Sequence, residues 1–447
     1  METGKQIVNK ELHARLPLSE LGAVSVCELN VKMRFTRQVR CMLDQGQELF
    51  PSIFGLDHVK RRLVEVLMTG HGSLLQGDFG VGKTELARSI FRVLSTYYVE
   101  HPIYSPSNCP VRENAVYLYN FLVKNDIASY EKVCPLCRHN HIESAKAVSD
   151  IWVERVYLDE GRGFARIQGN EDIEPEKILG MYHLTRYAEI GDPFDPRVLE
   201  PGKIAQASGG ILFVDEIGLL NKEAQYALIQ GLQENHFTPT NSRMTFPVDF
   251  LFVSTTNSIN EFQIHRAVHN RLVGIRIDRV NRDSEVALVQ RELDSTEFKV
   301  IFPCFFLEFL VDSMRKLSNI TVYLGPRSSI RAAQIAAASA IIERKAVVDY
   351  CDVKEGIYAE VLGQADDDRY EESLEMLNKD FLSVSEFLKG KIPALDNVSD
   401  DTAIDDAMMN WLNEFIPVAE QNMETVNLYV ETYRRNLKGA DRHQAMV

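Results

Sequence analysis

The stretch Gly77-Asp78-Phe79-Gly80-Val81-Gly82-Lys83-Thr84 constrains this chain more than any other, because it follows the pattern G-x-x-x-x-G-K-[ST] in full. A glycine-rich turn can wrap a phosphate with inward-pointing backbone N–H groups when the chain enters from a strand and leaves into a helix, whose first turn adds a positive dipole end. Both flanks are present. Ser73-Leu74-Leu75 reads as a short apolar strand preceded by a helix-like stretch around Val59–Leu67, and Lys83–Leu94 reads as a helix. In that setting the loop from Gly77 to Thr84, with Glu85 one step into the helix, is expected to contact a bound nucleotide. Lys83 is expected to reach the β- and γ-phosphates, and the Thr84 hydroxyl to ligate Mg²⁺.

Two further apolar runs fit the same architecture. Gly210-Ile211-Leu212-Phe213-Val214 ends in Asp215-Glu216, and Phe250-Leu251-Phe252-Val253 ends in Ser254-Thr255-Thr256-Asn257. Continuous apolar strands interleaved with helical segments predict an α/β fold of the phosphate-loop type, a parallel sheet with helices on both faces. Polar residues at strand C-terminal ends then line the crevice where open α/β sheets bind ligands. Asp215 is expected to hold the metal, and Glu216 to orient and polarise an attacking water. The plainer alternative is an acidic strand end with no catalytic duty.

Beyond residue 281 the strand texture fades, and Ser328–Arg344 reads as an alanine-rich helix with helical neighbours. The expected division is an N-terminal lead-in over 1–48, helical or irregular; an α/β domain over 49–280 carrying a Cys/His-rich insert at about 101–152; a helical lid over 281–364; and an acidic helical extension over 365–447. A chain of 447 residues has the length for about two to three domains. The last stretch, from 361, carries about −10 of the formal charge. It reads as a solvated appendage, or as a docking surface for a basic partner.

Composition narrows the function classes. Apolar residues at 45% and charged residues at 25% are the mixture of a soluble globular protein. A formal charge of −15 argues against a general nucleic-acid partner, which needs a basic surface to displace counterions. The opening METGKQIVNKELHARLPLSEL lacks the apolar core of a signal peptide, and no run reaches the roughly 18 apolar residues that span a bilayer. Cytoplasmic residence is expected, and seven cysteines, an odd number, fit reduced thiols better than a disulfide framework. The insert holds Cys109, Cys134, Cys137, His139 and His141. Cys134-Pro135-Leu136-Cys137 is the C-x-x-C knuckle of structural zinc sites, and Cys109 with either histidine could close a tetrahedron; Cys109, Cys134, Cys137 and His139 form the candidate set. Ordinary reduced thiols in a loop, or a redox pair, are the alternatives.

A phosphate loop, then Val214-Asp215-Glu216, then a strand ending in Asn257 is an order that resembles the AAA+ ATPases. In that family Asn257 would be sensor 1, its amide bonding both γ-phosphate and lytic water; an asparagine merely closing a turn is the alternative. Gly169-Asn170-Glu171-Asp172-Ile173-Glu174, then Glu200-Pro201-Gly202-Lys203-Ile204-Ala205-Gln206-Ala207, then Gly210 to Glu216 resemble the magnesium chelatase I subunit and its MoxR-type relatives. The resemblance covers about residues 49–364. Lys177–Arg197 fills the slot of that clade's inserted hairpin, and the cysteine-bearing insert has a counterpart there too. A second hairpin before sensor 1 is suggested by His236-Phe237-Thr238-Pro239-Thr240, a turn at Asn241-Ser242, and Arg243-Met244-Thr245-Phe246.

By the same resemblance Arg271, in Ala267-Val268-His269-Asn270-Arg271-Leu272, is the finger that reaches a neighbour's γ-phosphate, although Asn270 departs from the family's aspartate. Arg327, in Gly325-Pro326-Arg327-Ser328, is sensor 2, with Arg331 as the fallback. Ordinary surface ion pairing is the alternative for each. The resemblance implies ATP and Mg²⁺ as cofactors, a homo-oligomeric ring, a hexamer in the family's usual form, and a protein partner bearing an integrin-like metal-adhesion domain. The function expected is an ATP-hydrolysing motor that remodels or activates a partner complex. A helicase-like remodeller would need basic hairpin tips, where the second hairpin offers mainly Arg243, and a nucleotide-dependent switch would not need both Glu216 and Arg271.

Overall fold

The computed structural model describes residues 14–363 apart from 24–27, 79, 193–194, 258–262, 319–323 and 346, and beyond them residue 375. The acidic extension read over 365–447 therefore lies outside the described residues except at 375. The chain separates into two compact units, Met1–Gly77 with Gly82–Ile277, and Asp78–Val81 with Asp278–Val447.

In the first unit the apolar runs become a six-stranded sheet in the order Leu272–Arg276, Gly72–Gln76, Leu251–Thr256, Ile211–Asp215, Gly163–Gln168, Asp159–Glu160, all neighbours parallel. Every residue of Ile211–Asp215 and of Leu251–Thr256 is buried. Successive side chains point to opposite faces of a strand, so unbroken burial means that both faces of the sheet are covered. The strand Leu251–Thr256 runs on through Ser254, Thr255 and Thr256, which the sequence places at its end. Their hydroxyls are satisfied in place: Ser254 Oγ donates to the Ser73 carbonyl at 2.8 Å and Thr255 Oγ1 to Asp215 Oδ1 at 2.7 Å. Two β-branched threonines suit a pleated surface once their polar ends are bonded.

Helix Lys83–Glu100 likewise continues past Leu94, because Tyr97 and Tyr98 in its last turns are buried and the Tyr98 hydroxyl donates to the Gly209 carbonyl. Within the lead-in, Val31–Asp44 is a helix capped by the Asn30 side chain. The same region also holds a strand, Arg15–Pro17, which pairs antiparallel with Trp152–Arg155; that strand in turn pairs with Tyr104–Pro106. Three residues ending in proline carry no readable periodicity, so this element is invisible before folding. The two hairpin slots are filled: Gly180–Tyr182 pairs antiparallel with Leu199–Pro201 around helix Leu184–Ile190, and His236–Phe237 pairs antiparallel with Phe246–Pro247.

The second unit is helical, with Arg282–Asp294, Cys304–Ser318, Pro326–Ile342 and Tyr350–Leu362 around Phe306, Leu310, Met314 and Ile357. Ala332, Ala333, Ala336, Ala337 and Ala340 are buried, which lets Pro326–Ile342 approach its neighbour closely. Gly356 lies at that approach: a Cβ there would stand 2.2 Å from the Ala332 carbonyl oxygen. A mid-helix glycine costs roughly 0.5–1 kcal/mol relative to alanine, and here the contact explains its presence. Gly356→Val is expected to lower the unfolding free energy of this unit by about 1–3 kcal/mol through overpacking, read by urea denaturation, whereas the nearby exposed Glu355→Ala should change it by no more than about 0.5 kcal/mol. Among the described residues no helix is long and apolar enough to cross a membrane.

Candidate nucleotide site

The loop after strand Gly72–Gln76 turns into helix Lys83–Glu100 at Gly82, whose φ of 90° lies in the left-handed region that a side chain would resist. This turn aims Lys83 back across the strand ends. Its Nζ, on a side chain only 7% exposed, donates to the Gly77 carbonyl at 2.6 Å, to Asn257 Oδ1 at 2.6 Å and to the Thr256 carbonyl at 3.3 Å. Glu216 Oε1 lies 3.8 Å from the same nitrogen. Four residues from three different strand ends thus meet the lysine.

Glu216 reaches it through an unusual backbone. Its φ of 54° is left-handed, a conformation costing a non-glycine residue about 1 kcal/mol or more, and it turns the chain sharply at the end of Ile211–Asp215. Thr255 fixes both acids: the Glu216 N–H donates to its Oγ1 at 2.8 Å, and that hydroxyl donates to Asp215 Oδ1 at 2.7 Å. Asp215 Oδ2 accepts from Arg166 Nη2 at 2.5 Å across the neighbouring strand. Neither Arg166 nor Thr255 was legible as a site residue. The clue lay in Gly163–Gln168, where Arg166 and Gln168 alternate with buried residues and so project from one face.

Asn257 is 2% exposed, and its Nδ2 finds no hydrogen-bond partner among the described residues. A buried amide donor left without a partner costs about 1–3 kcal/mol, so its retention beside Lys83 points to a ligand oxygen or a water as its acceptor.

The remaining expected residues are less uniformly placed. Thr84 sits half-buried in the first turn of the helix, Val81 is buried and Asp78 exposed, while Phe79 lies outside the described residues. Glu85 Oε1 accepts from Ser52 Oγ at 2.9 Å and from Arg92 Nη1 at 2.8 Å. Arg271 follows the short helix Arg266–His269 and donates from Nη1 to the Ala267 carbonyl. In the second unit Arg327 lies in the first turn of Pro326–Ile342, and a Cβ on Gly80 would stand 3.2 Å from its own Cβ. Arg331, the fallback, donates to Glu360 instead.

The cysteine insert also departs from expectation. Cys109, Cys134 and Cys137 converge, but the fourth group beside them is Glu113, not His139. The His139 ring faces Glu143 one helical turn on, Nδ1 to Oε2 being 3.5 Å.

The model of the Sigma-54 interaction domain family matches residues 196–278. An archaeal Lon protease of Thermococcus kodakarensis is 35% identical over 95 residues, which are 19% of this chain and 15% of that protein. The magnesium-chelatase 38 kDa subunit of Chlorobaculum parvum is 23% identical over 283 residues, covering 60% of this chain and 69% of the subunit. Among solved structures, the Holliday junction branch migration motor RuvB of Thermotoga maritima matches 76% of this chain and 81% of its own at 16% identity, with a TM-score of 0.39. The chain spans between 9% and 24% of the length of the archaeal Lon proteases it matches. In the order of its motifs, the strand order of its parallel sheet and these sequence similarities, the chain resembles the AAA+ ATPases, the magnesium-chelatase 38 kDa subunit among them.

Proposed function

We propose that this chain hydrolyses ATP as a subunit of a homo-oligomeric ring, a hexamer, and uses the cycle to remodel or activate a partner protein complex. One observation carries the reading: Lys83, Asn257 and Glu216 converge within hydrogen-bonding or ion-pairing distance at the strand ends, with Asp215 held beside them by Thr255. The lysine neutralises phosphate charge, the asparagine amide offers a donor to the γ-phosphate or the attacking water, and Glu216 takes up a proton from that water. Thr84 and Asp215 offer the hard oxygen donors that suit Mg²⁺, which would neutralise charge on the β- and γ-phosphates. Arg271 supplies a second cation, from one subunit to the next, and Arg327 contacts the phosphates of its own subunit.

For the partner, the inserted hairpin presents Met181, Leu184 and Tyr187 to solvent, Leu184 being 75% exposed. An apolar tip supports a protein contact better than a nucleic-acid one, for which cations at the tip would be needed. The partner implied by the motif resemblance to magnesium chelatase I subunits is one with an integrin-like metal-adhesion domain. Cytoplasmic residence fits both the ATP supply and the reduced thiols of Cys41, Cys109, Cys134 and Cys137.

The test is turnover per subunit against protein concentration, with calorimetric titration of Mg·ATP alongside. An arginine supplied by a neighbour makes specific activity rise with assembly and then level off. A flat, low activity across the range would favour a monomeric switch, and no detectable affinity for adenine nucleotide would remove the ATPase reading altogether.

A further inference from the structure

We propose that Cys109, Glu113, Cys134 and Cys137 bind one zinc ion, which ties together the start and the middle of the insert. Their four ligand atoms lie within 4.8 Å of one another, and all four residues are buried. The spacing suits a tetrahedral metal. A zinc–thiolate bond of about 2.3 Å puts two sulfurs about 3.8 Å apart along the edge of a tetrahedron. Cys109 Sγ and Cys134 Sγ are 3.8 Å apart. A disulfide would need about 2.05 Å, and among three thiols it would always strand one.

Glu113 is the second, independent indication. It is 7% exposed, its Oε2 accepts from the Cys134 N–H, and its Oε1 finds no hydrogen-bond partner among the described residues. A buried carboxyl beside three thiols, with one oxygen unpartnered, is a ligand set that a cation would complete. The local chain favours the same ligand set. Cys134 precedes the short turn Pro135–Cys137, which brings Cys137 round to the same side, while Cys109 and Glu113 flank the turn before helix Ala115–Lys124. Zinc would thus join segments 25 residues apart in sequence, a separation read from Cys109 and Cys134. The ligands are three thiolates and a carboxylate, a closed set that leaves no position for substrate, so the role is structural.

The experiment uses the full chain purified without chelator. Elemental analysis is expected to find one equivalent of zinc, and exchange with Co²⁺ to give the intense visible bands and thiolate charge transfer of a tetrahedral site. Cysteines 109, 134 and 137 should resist alkylation, mapped by mass spectrometry, until a chelator is added. Glu113→Gln should weaken zinc at least ~10-fold in chelator competition, while His139→Ala keeps the full equivalent. Less than half an equivalent after zinc addition and dialysis, or an octahedral cobalt spectrum, would overturn the site. So would alkylation at the same rate with and without chelator. If His139→Ala lost the metal and Glu113→Gln kept it, the fourth ligand would be the histidine and the proposed set would be wrong. These readouts on the unmodified chain stand even if a cysteine variant fails to fold, and none depends on ATP turnover.

Discussion

Arg271→Ala is expected to lower ATP turnover by about 10³-fold or more while nucleotide affinity stays within a few-fold of the parent. A guanidinium placed against the transferring phosphoryl group stabilises charge that develops in the transition state, and so acts on the rate more than on ground-state binding. Within its own subunit Arg271 donates to the Ala267 carbonyl of the short helix it follows, whereas the residues that meet around Lys83 come from the strand ends at Gly77, Glu216 and Asn257. In the proposed ring it is delivered from a neighbouring subunit. A mixing experiment separates the two origins. Lys83→Ala subunits keep the arginine but lose the phosphate lysine, and Arg271→Ala subunits have the reverse defect. If the arginine acts between subunits, mixed rings regain activity, because an intact phosphate loop then faces an intact arginine. Should mixtures of the two inactive variants stay as inactive as either alone while still assembling, Arg271 does not act on a neighbour's phosphate.

Much of the site is legible in the sequence, for a physical reason: each legible residue belongs to a local pattern. The phosphate loop is contiguous, and Asp215, Glu216 and Asn257 stand at the ends of apolar runs whose burial on both faces is written into their composition. What escapes is what forms only across strands. Arg166 meets Asp215 because Gly163–Gln168 pairs beside Ile211–Asp215, and Thr255 bridges the two acids from a third strand. No spacing along the chain encodes those meetings. The insert teaches the same lesson. Its C-x-x-C pair is local and readable, whereas Glu113 joins it across 21 residues, through a contact from its carboxylate to the Cys134 N–H. His139, two residues from Cys137, is nearer in sequence, yet the helical turn that follows carries it toward Glu143. Proximity in sequence chose one ligand and backbone direction another. Arg15–Pro17 is equally hidden, since its partner strand lies beyond residue 150.

Glu216→Gln should retain Mg·ATP binding and lose hydrolysis by about 10²–10⁴-fold. The substitution keeps the size of the side chain and the left-handed turn at φ 54°, and its N–H can still donate to Thr255 Oγ1. What it removes is the capacity to accept a proton from water, together with the negative charge 3.8 Å from Lys83 Nζ. Losing that charge should not weaken a polyanionic ligand, and the affinity for Mg·ATP is expected to hold or rise slightly. Binding can be followed without turnover: a ligand held at about 100 times its dissociation constant stabilises the folded state by about 2.7 kcal/mol, so thermal unfolding should shift upward in the parent and in Glu216→Gln alike. Lys83→Ala, which removes the phosphate cation itself, should show neither the shift nor the hydrolysis. The contrast between the two variants isolates proton acceptance from phosphate binding. Parent-like turnover in Glu216→Gln would mean that another group accepts the proton, and the left-handed turn that carries Glu216 to Lys83 would then need a different explanation.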